Sequence, residues 1–386
     1  MKYFLCLIFF TCSFIYGEAQ YRVVFKLGKY PVKHNNDTAF LSGNFNNWEP
    51  ANSAYKFLLT GENSFELILN LPAGHYEYKC TRGDWGKVEC LHDGKEINNH
   101  SFQLSDDTTI EMNIEAWRDD FAAVTRIHTA GKQVQIIDTA FFMPQLNRSR
   151  RIWIYLPDGY TKSKKRYPVM YMHDGQNLFD TYTAGFGEWG VDECLDSLIK
   201  AGKPSCIVVG IDNGPQRINE YNPYEFQQYG KGEGDQYLEF LVQTLKPFID
   251  GQYRTLPSKE NTIISGSSMG GLISYYAMLQ YPGVFGKAGI FSPAFWTAPY
   301  IKTVTNSLAD KQNGKFFFYM GELEGSNHVI DMQEVQEVLG EKSTAMIYSV
   351  IDPLSSHNEE AWRKWFPEFY NWIMADGFNT VIKLSK

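Results

Sequence analysis

Ser268 stands in Gly266-Ser267-Ser268-Met269-Gly270, after the apolar pair Ile263-Ile264 and before the helix-forming stretch Leu272–Gln280. Strand, sharp turn, helix is the order in which a serine is lifted out of a sheet as a nucleophile. Such a turn strains the backbone at the serine and needs small residues two before and two after it, which Gly266 and Gly270 supply. The spacing therefore selects Ser268 over Ser265 and Ser267. A serine hydroxyl is a weak nucleophile at neutral pH, so it requires a base within hydrogen-bond reach and a carboxylate to orient that base. Of the eight histidines, His328 and His357 follow Ser268. His357 lies in Ser355-Ser356-His357-Asn358-Glu359, between the strand-like Ala345–Ile351 and an amphipathic helical pattern, which is where a base belongs. His328 opens a helix and reads as a surface or supporting residue. The acid is expected after the apolar run Phe316–Met320, in Gly321-Glu322-Leu323-Glu324-Gly325. Glu324, beside Gly325, fits the loop position better than Glu322. Asp331 falls inside the next helix, and Asp352 ends the histidine's own strand.

Acyl transfer passes through a tetrahedral oxyanion that needs hydrogen-bond donors. The backbone N–H of Met269, next after the nucleophile, is one. The second is expected from His173-Asp174-Gly175-Gln176-Asn177, where Gly175 lets the backbone approach and the N–H of Gln176 is the natural donor. His173 reads as a prop for this loop.

These groups need a scaffold, and the pattern from Gln133 onward supplies one. Gln133–Phe142 and Arg151–Leu156 read as two leading strands, and Tyr167–His173 and Ser205–Asp212 as buried ones. Helical periods cover Gly187–Lys200, Asp235–Asp250, 329–339 and Glu359–Met374, with further strands at Lys287–Phe291, Phe316–Met320 and Ala345–Ile351. Strands alternating with helices imply a mostly parallel sheet covered on both faces. With two leading strands, the expected fold class is α/β, of the α/β-hydrolase kind.

Residues 134–380 resemble the serine esterase family that includes feruloyl esterases, acetyl xylan esterases, enterobactin-type siderophore esterases and the esterase D group. The stretches that carry the resemblance are Tyr171 to Asp180, Glu188-Trp189-Gly190-Val191-Asp192, Val209 to Asn213, Arg217 with Glu220-Tyr221-Asn222-Pro223, Gly266 to Gly271, Ser292 to Trp296, and His357 to Trp362. The resemblance implies serine carboxylesterase activity without metal or cofactor. It also implies an acid closely followed by glycine, which again favours Glu324. Trp189, Arg217, Tyr221, Phe295 and Trp296 come from strand-end loops, where substrate contacts gather, and are the candidate substrate-binding residues. For Arg217 an ion pair with Glu220 is the structural alternative.

Ahead of this domain, residues 20–117 read as an all-β, immunoglobulin-like sandwich of short alternating strands: Tyr21–Leu27, Thr38–Leu41, Ser64–Leu71, His75–Thr81 and Thr108–Ile114. Gly43-Asn44-Phe45-Asn46-Asn47-Trp48, Leu71 to Lys79 and Gly83-Asp84-Trp85 resemble the glycogen- and starch-binding modules of the early-set type. That resemblance implies sugar stacking on Trp48 and Trp85, helped by Lys79; Val88 to His100 departs from it. A purely structural tryptophan, or a docking module, is the alternative. Residues 118–132 read as a polar linker, and 133–386 as the esterase domain. Residues 1–19, with Lys2, an apolar run to Tyr16 and small residues at Gly17 and Ala19, read as a secretory signal peptide, so a soluble periplasmic or secreted protein is expected.

The formal net charge of -8 argues against nucleic acid or an anionic membrane as partner. Aromatic residues make up 16% of the chain, which suits stacking on sugar or aryl groups as well as ordinary core packing. Cys80 with Cys90, and Cys194 with Cys206, are spaced for disulfides or else are buried thiols. No Cys/His cluster has metal-ligand spacing. The expected function is exported hydrolysis of an acylated carbohydrate or small ester. The alternatives are a siderophore esterase, an acyltransferase using the same residues, and a carbohydrate-binding protein with a vestigial hydrolase domain.

Overall fold

The computed structural model describes residues 20–375, apart from 35–36, 47, 62–63, 98, 123–125 and 227–228, together with the backbone of Val381–Lys383. The expected signal peptide, residues 1–19, lies outside the described residues, as do Asn47 and Asn98. The chain forms two compact units, residues 1–124 and 125–386.

The first unit is all-β. Its strands are β1 (Gln20–Lys29), β2 (Phe40–Gly43), β3 (Leu58–Gly61), β4 (Ser64–Pro72), β5 (Gly74–Thr81), β6 (Glu89–Cys90), β7 (His100–Leu104), β8 (Thr108–Asn113) and β9 (Ala116–Trp117). They make a four-stranded sheet, β3-β4-β1-β8, a three-stranded sheet, β2-β5-β7, and the small pair β6-β9. Val23, Phe25, Leu27, Leu67 and Met112 of the larger sheet share one core with Leu41, Tyr76, Tyr78, Cys80 and Leu104 of the smaller. Trp117, fully buried, closes that core, although the sequence pattern ends the module there without assigning it a role. The short alternating pattern did not reveal β3, whose four residues are all exposed, nor the two-residue strands β6 and β9. Residues 118–120 stay with this unit, Arg118 N–H donating to the Val88 carbonyl at 2.9 Å.

The second unit is built on a nine-stranded sheet. Its strands are β10 (Val134–Met143), β11 (Arg148–Tyr155), β12 (Val169–His173), β13 (Ile207–Ile211), β14 (Thr262–Ser267), β15 (Lys287–Phe291), β16 (Lys315–Gly321), β17 (Met346–Asp352) and β18 (Val381–Lys383). The order is β10-β11-β13-β12-β14-β15-β16-β17-β18, antiparallel through β10, β11 and β13 and parallel thereafter. This is the α/β-hydrolase arrangement. The helices are α1 (Val191–Lys200), α2 (Arg217–Glu220), α3 (Gly234–Phe240), α4 (Lys246–Gln252), α5 (Met269–Gln280), α6 (Ile301–Leu308), α7 (Ser326–Lys342) and α8 (Glu359–Met374).

Alternate residues of β12 explain why its sequence is apolar without interruption. Val169 and Tyr171 belong to the core that also takes in α3 and α5, Met170 and Met172 to the one that takes in α1 and α8. Helix α5 is buried on every side from Met269 to Leu279, so it has no polar face for periodicity to reveal. The single helix expected over 235–250 is observed as α3 and α4 joined by a widened π stretch, Leu241–Leu245, with Pro247 just beyond it. Proline lacks an N–H and crowds the preceding turn, and the widened turn accommodates it. The helix expected from Gly187 begins only at Val191, because Gly187 and Gly190 hold positive φ. All four cysteines of the described residues are free thiols, Cys80, Cys90 and Cys206 buried.

Candidate active site

The strand β14 delivers Ser268 at its carboxyl end with φ 57° and ψ −121°, a conformation in which a non-glycine residue is strained. The elbow is clamped: Ser268 N–H donates to the Phe291 carbonyl at 2.9 Å, and Ala294 N–H donates to the Ser268 carbonyl at 3.1 Å. A β-carbon at Gly266 would lie 3.0 Å from Gly270 backbone atoms and from the ring of His173. The glycine spacing read from the sequence is therefore a packing requirement of the turn.

The neighbouring parallel strands place the other groups on the same edge. Glu324 follows β16 and His357 follows β17, and the two meet: His357 Nδ1 lies 2.7 Å from Glu324 Oε2. The carboxylate is 3% exposed and the imidazole 43% exposed, so a held acid supports an accessible base. Glu324 Oε1 is fixed by two donors, the Gly321 N–H at 2.8 Å and the Ser292 hydroxyl at 2.6 Å. Trp362 Nε1–H donates in turn to Ser292 Oγ at 2.9 Å, and the Trp362 ring meets the His357 ring edge-on. Ser292 and Trp362 were read only as family stretches, and their role in holding the acid was missed. Ser292's positive φ, 43°, is invisible in a sequence. Glu322 is exposed. Asp352 is occupied by Ser355, Lys364 and Trp365. His328 opens α7 and its ring lies 6.2 Å from that of Trp296.

Met269 N–H begins α5 and Gln176 lies in the short 3-10 turn Gly175–Asn177 after β12. N–H groups in the first turn of a helix have no carbonyl partner within it, which suits both to an oxyanion. Strands β12 and β14 are neighbours, so the two turns leave the sheet side by side. Asp174, with φ 57°, starts the turn and is gripped by Arg217 through two bonds of 2.8 Å and by Asn213 Nδ2 at 2.6 Å. Burial by itself raises the Asp174 pKa, but the Arg217 guanidinium and these hydrogen bonds outweigh it and hold the carboxyl below the usual aspartate range.

That pairing corrects the ion pair considered between Arg217 and Glu220. Glu220 is fully buried and bound by Arg148 and Arg150 instead. Three of the expected substrate contacts have side chains buried in packing. Trp189 lies against Phe291, Trp362 and Phe366. Tyr221 packs on His173 and Tyr237, and Phe295 on Tyr275. Trp296 and Arg217 keep partly exposed side chains. His173 is a prop: it is buried under the elbow with Nδ1 2.9 Å from the Tyr237 hydroxyl, and burial lowers its pKa from 6.5 to about 4.

In the first unit, Trp48 and Trp85 sit together with ring centroids 6.2 Å apart, Trp85 being 41% exposed. Lys79 does not join them as a free cation. It is buried and its Nζ lies 2.8 Å from Glu96, a residue of the stretch that departs from the glucan-binding pattern.

A family model described as "Putative esterase" matches residues 144–372. An uncharacterised protein YbbA of Bacillus subtilis is 26% identical over 250 residues, 60% of this chain and 96% of its own. An endo-1,4-beta-xylanase/feruloyl esterase of Xylanibacter ruminicola is 26% identical over 258 residues, 66% of this chain, which spans only 33% of that larger protein. The enterobactin esterase FES of Shigella flexneri is similar in fold, with a TM-score of 0.52 at 14% identity, over 91% of this chain and 92% of that one.

Proposed function

The chain belongs to the esterase family and is a carboxylic ester hydrolase, and from that premise we propose that Ser268, His357 and Glu324 form its catalytic triad, acting on esters of acylated carbohydrate. The observation that carries the triad is the 2.7 Å bond between His357 Nδ1 and the buried Glu324, on the sheet edge where Ser268 is held at φ 57°. Ser268 Oγ attacks the ester carbonyl carbon while His357 Nε2 takes the hydroxyl proton. Glu324 orients the ring and stabilises the imidazolium. The N–H groups of Met269 and Gln176 donate to the oxyanion. The carbon–oxygen bond to the alcohol then breaks, and His357 returns the proton to the leaving oxygen. Water, deprotonated by His357, cleaves the acyl-enzyme and releases the acid.

The carbohydrate reading draws support from the xylanase/feruloyl esterase relative and from the Trp48–Trp85 pair. Acetyl and feruloyl xylan are the esters it names, and Trp296 and Arg217 are the substrate contacts it retains. Residues 1–19 direct export to the periplasm or medium in this reading. A second reading, a siderophore ester, is favoured by the fold likeness to the enterobactin esterase, which extends over 91% of this chain. Transfer of the acyl group to a sugar acceptor is a variant of either. The vestigial-hydrolase reading fails on the family membership.

The test of the triad is Ser268→Ala assayed with p-nitrophenyl acetate. kcat falls by roughly 10⁵–10⁶-fold with the circular dichroism spectrum unchanged; turnover retained in the folded variant removes Ser268 from its role. Rates across acetyl, feruloyl and catecholate siderophore esters, with and without sugar acceptors, then separate the substrate readings.

A further inference from the structure

Away from the triad, the second unit gathers three carboxylates at the start of α1. Glu188 precedes the helix, and Asp192 and Glu193 lie in its first turn. One oxygen from each lies within 4.8 Å of the other two. Glu188 is 6% exposed and Asp192 1%. Each keeps one oxygen engaged: Glu188 Oε2 accepts from the hydroxyls of Thr129 at 3.0 Å and Thr181 at 2.6 Å, and Asp192 Oδ2 accepts from the Gly131 N–H at 2.7 Å. Their other oxygens, Glu188 Oε1 and Asp192 Oδ1, are buried and accept no hydrogen bond among the described residues.

A helix N-terminus favours negative charge, and that accounts for Asp192 and Glu193. It does not account for Glu188, which lies outside the helix, nor for two buried carboxylate oxygens without a donor. Such oxygens are strongly unfavourable unless a cation or proton meets them.

We propose that Glu188, Asp192 and Glu193 bind one hard divalent cation of the calcium class as a structural site. The donor set is oxygen only, with neither imidazole nor thiolate, which suits calcium rather than zinc or copper. Glu193, on the exposed side, leaves room for the waters that complete six to eight ligands. The cation fastens residues 129–131 to the loop that follows the oxyanion turn. That loop is already bonded to the turn through Trp189 N–H to the Asn177 carbonyl at 2.8 Å and Val191 N–H to the Leu178 carbonyl at 3.0 Å. Cation binding therefore stabilises the segment that carries Gln176, whichever ester is the substrate.

The full chain, stripped with EDTA, is titrated with calcium chloride by calorimetry and followed by thermal melting. One ion binds per chain with Kd on the order of 10⁻⁴–10⁻³ M or tighter, and saturation raises Tm by roughly 2–4 °C or more. Asp192→Asn and Glu193→Gln each weaken binding by about tenfold or more. Should Asp192→Asn not fold, Glu193→Gln, on an exposed side chain, carries the test. No heat and no Tm shift up to about 10 mM calcium overturns the site. Undiminished binding in the variants overturns it too, by placing the ion elsewhere. An Asp192→Asn protein that is more stable than wild type and indifferent to calcium identifies the cluster as a proton-sharing pair and also overturns it.

Discussion

In the second unit Ser268 and Glu324 are each held by hydrogen bonds at one edge of the sheet, whereas in the first unit Lys79, the cation expected at a sugar site, is paired with a carboxylate. Ser268 is strained and clamped at both its N–H and its carbonyl. Glu324 has one oxygen fixed by Gly321 and Ser292 and the other directed at His357. In the first unit the cation that a sugar site would use, Lys79, is neutralised by Glu96, and the indoles of Trp48 and Trp85 remain as the exposed feature. Residues of a suitable type are therefore not enough. A hydroxyl becomes a nucleophile only in a backbone conformation and hydrogen-bond network that cost stability, and such a cost marks a site. Trp48 also holds a positive φ, 57°, so backbone strain by itself does not separate the two units; the hydrogen-bond network that links Ser292, Glu324 and His357 has no counterpart around the indole pair among the described residues.

The sharpest way to break this comparison is to loosen the acid while leaving its shape. Glu324→Gln lowers kcat on p-nitrophenyl acetate by about 10⁴-fold, because the amide no longer stabilises the imidazolium. A loss under tenfold would show that His357 does not rely on Glu324. Next comes the support of the oxyanion turn. Arg217→Met leaves the Asp174 carboxylate in a buried site with only Asn213 to satisfy it, and lowers stability by about 3 kcal/mol, allowing for the exposed edge of the guanidinium. Urea unfolding of the two proteins measures it.

His173 supplies a pH-dependent counterpart. Its folded pKa, about 4, is depressed below the ordinary 6.5, so the unfolded chain takes up the proton first. The stability held in the neutral ring is complete above about pH 6.5 and is lost as pH falls to about 4, about 3 kcal/mol in all. Unfolding curves at pH 7 and pH 4.5 show this limb, and His173→Gln lacks it. The smallest effect belongs to the first unit. Trp85→Ala changes kcat/KM on small soluble esters by less than about twofold, since the ring is exposed and belongs to the unit that does not carry Ser268. Retention on glycogen or xylan gels reports whether the indole pair holds sugar; Glu96→Gln, which frees Lys79, strengthens that retention if it does.

Much of the second unit was legible because its strands are buried on both faces and separated by helices, which leaves long apolar runs. The turn at Ser268 was legible because Gly266 leaves room there: a β-carbon would lie 3.0 Å from Gly270 and His173. Helix α6 and strand β3 were not: in α6 the spacing of Ile301, Val304 and Leu308 is helical but spans barely two turns, and β3 is wholly exposed. The substrate contacts were the weakest part of the reading. Trp189, Tyr221 and Phe295 occupy strand-end loops, and sequence position alone does not distinguish an aromatic turned toward a ligand from one turned into the core.

The order of Ser268, Glu324 and His357 along the chain, their places after successive strands and the glycines around the elbow were determined by sequence, since each is a local matter of residue type and spacing. Which serine fixes Glu324, which arginine holds Asp174 and which glutamate pairs with Lys79 were decided by the tertiary structure alone. These partners come from 17 to 43 residues apart. A pairing over such a span depends on strand order and on which side chains are buried together, and neither is written in any local pattern.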